Sequence, residues 1–209
     1  MTTLSILGAG SMASSIAALA VRGGAQVQVL ARDPQNAAAV AAGVGASATS
    51  GSIGDALTGD VVVLALPYGA VPAVAAQYAA ELVGKVVVDI TNPLNFETFD
   101  SLAVPAGTSA AEELAAQLPG AHVLKAFNTN FAATLASGQV GDAATTVLVA
   151  GDDAAAKGVL LGVVAAAGVA GLDAGALTRA QQLEALGFLQ LTLAVGGTIP
   201  WTGGFTVSR

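Results

Sequence analysis

The chain has 209 residues, of which 54% are hydrophobic and 10% charged, with a formal net charge of −7 and a sequence pI near 4.3. That length suits one α/β unit, or one with a small appendage, and the acidic balance argues against nucleic acid or an anionic membrane as partner. There is no Cys, and His122 is the one His, which excludes disulfides, thiolate nucleophiles and Cys- or His-cluster metal sites.

A mean hydropathy of +0.72 raises the question of a membrane span. The uncharged stretch 185–208 is broken by Gly196-Gly197, Pro200 and Gly203-Gly204, leaving less than the ~20 apolar residues a span needs. Residues 1–20 lack the basic start of a secretory signal, so the expected setting is cytoplasmic. A surface this poor in charge predicts oligomerisation, here a homodimer.

In chain order, Leu4-Ser5-Ile6-Leu7 is an apolar strand pattern, and Gly8-Ala9-Gly10-Ser11-Met12-Ala13 follows as a G-x-G-x-x-A loop. Ile16, Leu19 and Ala20 then repeat at helical spacing. Strand, glycine turn and helix in this order are the setting of a dinucleotide-binding fingerprint. Gly8 permits the tight turn, Gly10 lets backbone approach a pyrophosphate, and Ala13 lets the helix pack on the strand. The helix start adds free N–H groups and a positive dipole end. An ordinary Gly-rich strand-to-helix turn is the plainer alternative.

Gln26–Leu30 alternates as a strand and ends in Ala31-Arg32-Asp33-Pro34. An NAD site usually has a carboxylate here for the ribose 2′-OH. Leu30 and Ala31 stand in those positions, and the Arg32 guanidinium suits a 2′-phosphate, which points to NADP(H). The alternative makes Arg32 a solvated charge and Asp33 the ribose acceptor, although Asp33 beside Pro34 fits the N-cap of a helix over 35–42.

Further along, an extended piece is expected near 45–49, a helix over 52–58, a buried strand over 60–66 and a helix over 71–82. Lys85–Ile90 reads as a strand, 109–118 as a helix and His122–Phe127 as a strand. Strand 145–150, helix 152–166, short strand 169–172 and a long helix 178–195 complete the pattern. Continuous apolar strands alternating with helices predict a Rossmann-type α/β fold, a doubly wound, mostly parallel sheet with a C-terminal helix. We expect a single dinucleotide-binding domain over 1–209, with a helical extension from about 174 to 209. The longest irregular segment is 96–107.

Ligands in such sheets bind at the carboxyl ends of strands. That rule gathers Gly8–Met12, Leu66-Pro67-Tyr68, Thr91-Asn92-Pro93-Leu94 and Ala126–Thr129. The prolines fix turns whose backbone can flank a flat ring. Asn92, Asn128 and Thr129 offer neutral hydrogen-bonding groups, although Asn and Thr after strands also cap turns. Lys125 could polarise an acceptor carbonyl or pair with an acid, and His122, at the other end of its strand, is read as structural. The second half of the chain has only Lys125, Lys157, Arg179 and Arg209 to offer an anion. Trp201 and Phe205 either close an acceptor pocket or fill a subunit interface. In the last helix Leu183, Leu186, Gly187, Gln190, Leu191 and Ala194 form one face, with Leu189 and Leu193 on another.

The chain resembles the F420-dependent NADP reductases (8-hydroxy-5-deazaflavin:NADPH oxidoreductases) and the related N-terminal domain of the STEAP metalloreductases. The resemblance rests on GAGSMA at 8–13, Arg32, ALPYGAV at 65–71, VVDITNPLN at 87–95 and SAAEELAAQLPGAHVLKAFNT at 109–129. VAGDDAAAK at 149–157 and LDAGALTRAQQLEALG at 172–187 extend it. It implies hydride transfer between NADPH and a stacked flavin-like or deazaflavin (F420-type) acceptor. Gly8, Gly10, Ser11 and Met12 would hold the pyrophosphate, with Ala31 and Arg32 at the 2′-phosphate. Leu66, Pro67, Tyr68, Asn92 and Pro93 would flank the ribose and nicotinamide, and Leu94, Ala126, Asn128, Thr129 and Trp201 would meet the acceptor. No acid–base residue is expected, because hydride transfer between stacked rings needs alignment and exclusion of water. A non-catalytic NADP(H)-binding redox sensor is a second reading. A pyrroline-5-carboxylate reductase-like imine reductase is a third, carried by the similar opening loop.

Overall fold

The computed structural model describes residues 2–208. Strands β1 (Thr3–Leu7), β2 (Gln26–Ala31) and β3 (Ala48–Ser52) alternate with helices α1 (Ser11–Arg22) and α2 (Pro34–Val44). Next come β4 (Val61–Leu64), α3 (Val71–Gln77), β5 (Val86–Asp89), α4 (Ala110–Gln117) and β6 (His122–Ala126). Helix α5 (Ala132–Ser137) and the small hairpin β7 (Gln139–Val140) and β8 (Ala143–Ala144) lead to β9 (Thr146–Gly151). The chain closes with α6 (Ala154–Ala166), β10 (Ala170–Gly175) and α7 (Ala180–Val195).

Among the described residues, eight strands form one sheet in the order β10-β9-β6-β5-β4-β1-β2-β3. All neighbours are parallel except β6 and β9. The fold is thus the expected doubly wound, mostly parallel sheet, with its last two strands reversed. Both faces are covered, which is why the strands read as continuous apolar runs. Val61 and Val63 pack with Ile16, Leu19 and Leu160 on one face, while Val62 and Leu64 pack with Ala75, Leu82 and Leu114 on the other. The chain leaves β1 in one direction and returns to β4 on the other side, so the switch in strand order lies between β1 and β4.

Local sequence explains several helix starts. Asp33 Oδ1 accepts from the Gln35 N–H with Pro34 at the first helical position, and Ser109 and Asp153 cap α4 and α6 in the same manner. Asp33 is therefore an N-cap, as its place before Pro34 implied.

Some expectations fail. Residues 52–58 are not helical. Gly54 sits at φ 115°, and the Asp55 carboxylate turns back to accept from the Ser52 N–H at 2.8 Å, so a turn closed by a side-chain bond to the backbone three residues earlier replaces the helix. The extended piece expected at 45–49 forms at Ala48–Ser52. Helix α3 stops at Gln77, and the turns beyond it carry Tyr78 and Leu82 into the core. Among the described residues, no helix is long and apolar enough to cross a membrane.

Candidate functional site

The glycine loop follows β1 at the switch point. Gly8 adopts φ 123°, open to glycine but strained for other residues, and any Cβ there would collide with the Ala65 carbonyl oxygen. A Cβ on Gly10 would meet nothing within 4 Å, so the space above that residue is open. Ala13 is fully buried on the inner face of α1. The first helical bond runs from the Ser14 N–H to the Gly10 carbonyl, which leaves the N–H groups of Ser11, Met12 and Ala13 without helical partners.

Two cavities flank this loop. One, of about 580 Å³, is lined by Gly8, Ala9, Gly10, Ala31, Arg32, Asp33, Asn36, Ile53, Ala65, Leu66 and Pro67. The Arg32 guanidinium at its edge has no protein partner among the described residues. The other, of about 430 Å³, is lined by Ser11, Met12, Ile90, Asn92, Phe127, Asn128, Asn130, Phe131, Ala132, Ala133, Leu191 and Trp201. The loop therefore gives its first three residues to one cavity and its next two to the other. An open Gly10, three free N–H groups and an unpaired Arg32 fit a dinucleotide whose phosphates cross the loop.

The second cavity is braced by an amide pair. Asn92 Nδ2 donates to the Asn128 carbonyl at 2.8 Å, and Asn128 Nδ2 donates to Asn92 Oδ1 at 2.9 Å and to the Leu183 carbonyl at 2.8 Å. Gly187 of α7 lies against this pair, and a Cβ there would collide with Asn92 Oδ1. Phe127, buried and lining the cavity, holds φ 62°, a left-handed conformation costly for a bulky residue and concentrated at functional sites. The rings of Phe131 and Trp201 meet with centroids 4.9 Å apart.

Asp89 and Thr91, which line a small crevice with Tyr68 and Glu113, belong to a buried ionic cluster. Lys125 Nζ, fully buried, bonds Asp89 at 2.8 Å, Glu184 at 2.7 Å and the Thr91 carbonyl at 2.6 Å. Glu184 also accepts from the Ala110 N–H at the start of α4. Burial pushes the Glu184 carboxyl above the ordinary range, against the opposing pull of Lys125. One ammonium thus ties β5, β6 and α7 together, with α4 held through Glu184, and it bonds the carbonyl of Thr91, the residue before Asn92. Lys125 pairs with acids, and its Nζ is enclosed away from either cavity.

Most expected residues lie at the cavities. Gly8, Gly10, Ala31, Arg32, Leu66 and Pro67 line the first, and Ser11, Met12, Asn92, Asn128 and Trp201 line the second. Others lie elsewhere. The Tyr68 hydroxyl donates to Glu113 at 2.7 Å, and burial with that carboxylate pushes its pKa to about 12; it faces α4 from a small crevice. Pro93 is buried, Leu94 is buried and bridged to Leu102, and Ala126 is in the core. Thr129 lines a separate cavity of about 80 Å³ with Phe205. Phe127 falls within the expected strand-end segment 126–129; the lining residues of the second cavity that were not anticipated are Ile90, Asn130, Phe131, Ala132, Ala133 and Leu191. Asn130 follows that segment directly, and Phe131 to Ala133 lie in a stretch with no legible period. His122, half-exposed, pairs with Asp153 at 3.1 Å near the start of α6.

Residues 3–93 match the family described as NADP oxidoreductase, coenzyme F420-dependent. The hypothetical protein SMa0349 of Sinorhizobium meliloti is 31% identical, with 85% of this chain and 86% of that one covered and a TM-score of 0.75. The N-terminal region of the chain, residues 3–93, is thus of the F420-dependent NADP oxidoreductase family. This makes it an oxidoreductase with an NAD(P)-type dinucleotide fold. Within the same fold, a protein of Arthrobacter sp. FB24 described as a candidate F420-dependent NADP-reductase superimposes over 100% of both chains at 24% identity and a TM-score of 0.87. Metalloreductase STEAP3 of Rattus norvegicus is 32% identical over 181 residues, which are 87% of this chain. The chain spans only 35% of that relative's length.

Proposed function

We propose that this protein, whose residues 3–93 match the F420-dependent NADP oxidoreductase family, passes a hydride between NADPH and a flavin-like or deazaflavin acceptor. The observation that carries the reading is the pair of cavities meeting at the glycine loop, one edged by a free guanidinium and the other walled by aromatic rings and amides. Gly8, Gly10, Ser11 and Met12 take the pyrophosphate, and Arg32 beside Ala31 takes the 2′-phosphate. Leu66, Pro67 and Asn92 flank the ribose and nicotinamide. Bound NADPH supplies the hydride from its nicotinamide ring. Asn92, Asn128, Phe127 and Trp201 hold the acceptor flat and exclude water, and the chain needs no general acid or base for the transfer itself.

Residues 1–209 act in this reading as one unit with its C-terminal helical extension, and the working form is a homodimer. Leu189, Val195, Trp201, Phe205 and Val207 leave apolar surface exposed around α7. A sedimenting species of 20.1 kDa, the mass of one chain, would exclude the dimer.

The test is anaerobic NADPH oxidation with F420, FMN, FAD, quinones and ferric chelates offered in turn. Stoichiometric oxidation with a flavin or deazaflavin is expected. NADPH binding with no acceptor reduced would favour the redox-sensor reading.

A further inference from the structure

One face of α7 serves two parts of the second cavity. Leu183, Gly187 and Gln190 recur on it at helical spacing. The Leu183 carbonyl and the surface of Gly187 meet the asparagine pair. Gln190, 2% exposed, is a buried amide that the hydride-transfer reading leaves without a task. Its Nε2 donates to the Thr129 carbonyl at 3.1 Å, and its Oε1 accepts from the Phe205 N–H at 2.8 Å. Both ends of the amide are spent on backbone groups, one just beyond β6 and the other in the segment that follows α7.

That segment is a short loop returned onto its own helix. On its near side the Thr198 and Ile199 N–H groups donate to the Leu193 carbonyl at 2.9 and 3.3 Å. A turn follows, closed by the Gly203 N–H on the Pro200 carbonyl at 2.8 Å, with Trp201 at its second position. On the far side Gly204, at φ 135°, passes so close to Gln190 that a Cβ there would collide with Oε1. The Phe205 N–H then makes its bond to that oxygen, and the Thr206 hydroxyl donates to the Ala144 carbonyl at 2.6 Å. Leu193 and Gln190, about one helical turn apart, thus hold the two ends of a loop whose corner is Trp201. That ring lines the second cavity and meets Phe131. With 52% of its surface exposed, it takes its position largely from the loop that carries it.

We propose that Gln190 is a positioning residue for the acceptor: by fixing Gly204 and Phe205 it sets where Trp201 stands, and with it one wall against which the acceptor ring packs. This rests on the hydride-transfer reading above, which puts Trp201 at the acceptor. Gln190 lines neither large cavity, so it acts through Trp201. An amide suits the task because it serves a carbonyl and an N–H at once, whereas a hydrocarbon of the same size would leave both unpaired.

Trp201 is the chain's one tryptophan, so its emission reports its own surroundings. Riboflavin and F420 are fluorescent, and the polarisation of each follows its binding without NADPH. Gln190→Leu nearly keeps the volume and removes both bonds. It should open Trp201 to acrylamide quenching, weaken whichever ring binds the parent by about tenfold and raise its KM in parallel, with the NADPH Kd within about twofold of the parent's. Gly204→Ala drives a methyl group into the same contact from the half-buried loop. It should act in the same direction, and it decides the question alone if Gln190→Leu fails to fold. Trp201→Ala tests whether the tryptophan carries the effect. On that background either substitution should weaken the ring by no more than about a further twofold, whereas a merely structural contact would add its full loss. Full additivity, unchanged ring affinity in the folded variants, an equal loss of NADPH affinity, or binding of neither ring by the parent would overturn the proposal. NADPH-dependent reduction, followed in parallel, separates the two ideas: a ring that binds and weakens as expected but is never reduced upholds the role of Gln190 and sinks the hydride-transfer reading.

Discussion

The cavity over β1, β2 and β4 is bounded largely by backbone and small side chains, with one free cation at its edge. The cavity over β5 and β6 is bounded by large side chains from five segments far apart in sequence, braced by a buried ion cluster and an amide pair. A site made from one turn can be read locally, because the turn's geometry dictates its residues. A site made by convergence depends on packing, and its tolerance of change should be correspondingly lower. Mutations can test that division.

The largest effect is expected at Lys125. Lys125→Ala leaves Asp89 and Glu184 as buried carboxylates without their cation and should cost about 3–5 kcal/mol of stability in denaturant titration. Arg32→Ala acts on the other cavity and should leave stability unchanged. It should remove about 1.5–3 kcal/mol of binding to NADPH and little to NADH, so that the preference measured by titration falls roughly tenfold or more. Equal affinity of the parent protein for both cofactors would refute that role. Gly187→Ala drives a methyl group into Asn92. It should cost about 1–3 kcal/mol by overpacking and slow acceptor reduction more than it weakens NADPH binding.

The smallest effect is expected far from both cavities. Lys157 and a backbone N–H hold the Asp173 carboxyl below its ordinary range. A lowered carboxyl stabilises the fold above its unfolded pKa, and that contribution is lost as pH falls through the folded value. The pair is largely solvent-exposed on the Asp173 side, so Asp173→Asn should cost at most about 0.5 kcal/mol at neutral pH. The difference in thermal midpoint between variant and parent should close below pH 3.8, the ordinary aspartate value, and neither ligand affinity should move.

The legibility of the sequence follows the same line. The glycine loop, Arg32 and the Asp33 cap each follow from local backbone chemistry and lie where that chemistry puts them. Asn92 and Asn128 were legible as strand-end residues, but their mutual pairing was not, because nothing in either segment encodes the other. The reversal of β9 was invisible, since a strand buried on both faces has the same apolar pattern in either direction. Helix α5, with six residues, is too short to show a period, and so Phe131 was missed. Tyr68 follows a strand-end proline but turns toward Glu113, a choice fixed by α4 forty-five positions later. The false helix at 52–58 shows the converse, a local pattern overruled by Gly54 and the Asp55 turn.

The central claim is that hydride transfer takes place between two separately built cavities. Its most direct test is Asn128→Leu, assayed for riboflavin reduction while NADPH affinity is titrated on the same preparation. Turnover should fall by at least roughly tenfold, with the NADPH Kd within about twofold of the parent's. Loss of NADPH binding, or unchanged turnover, would contradict the account.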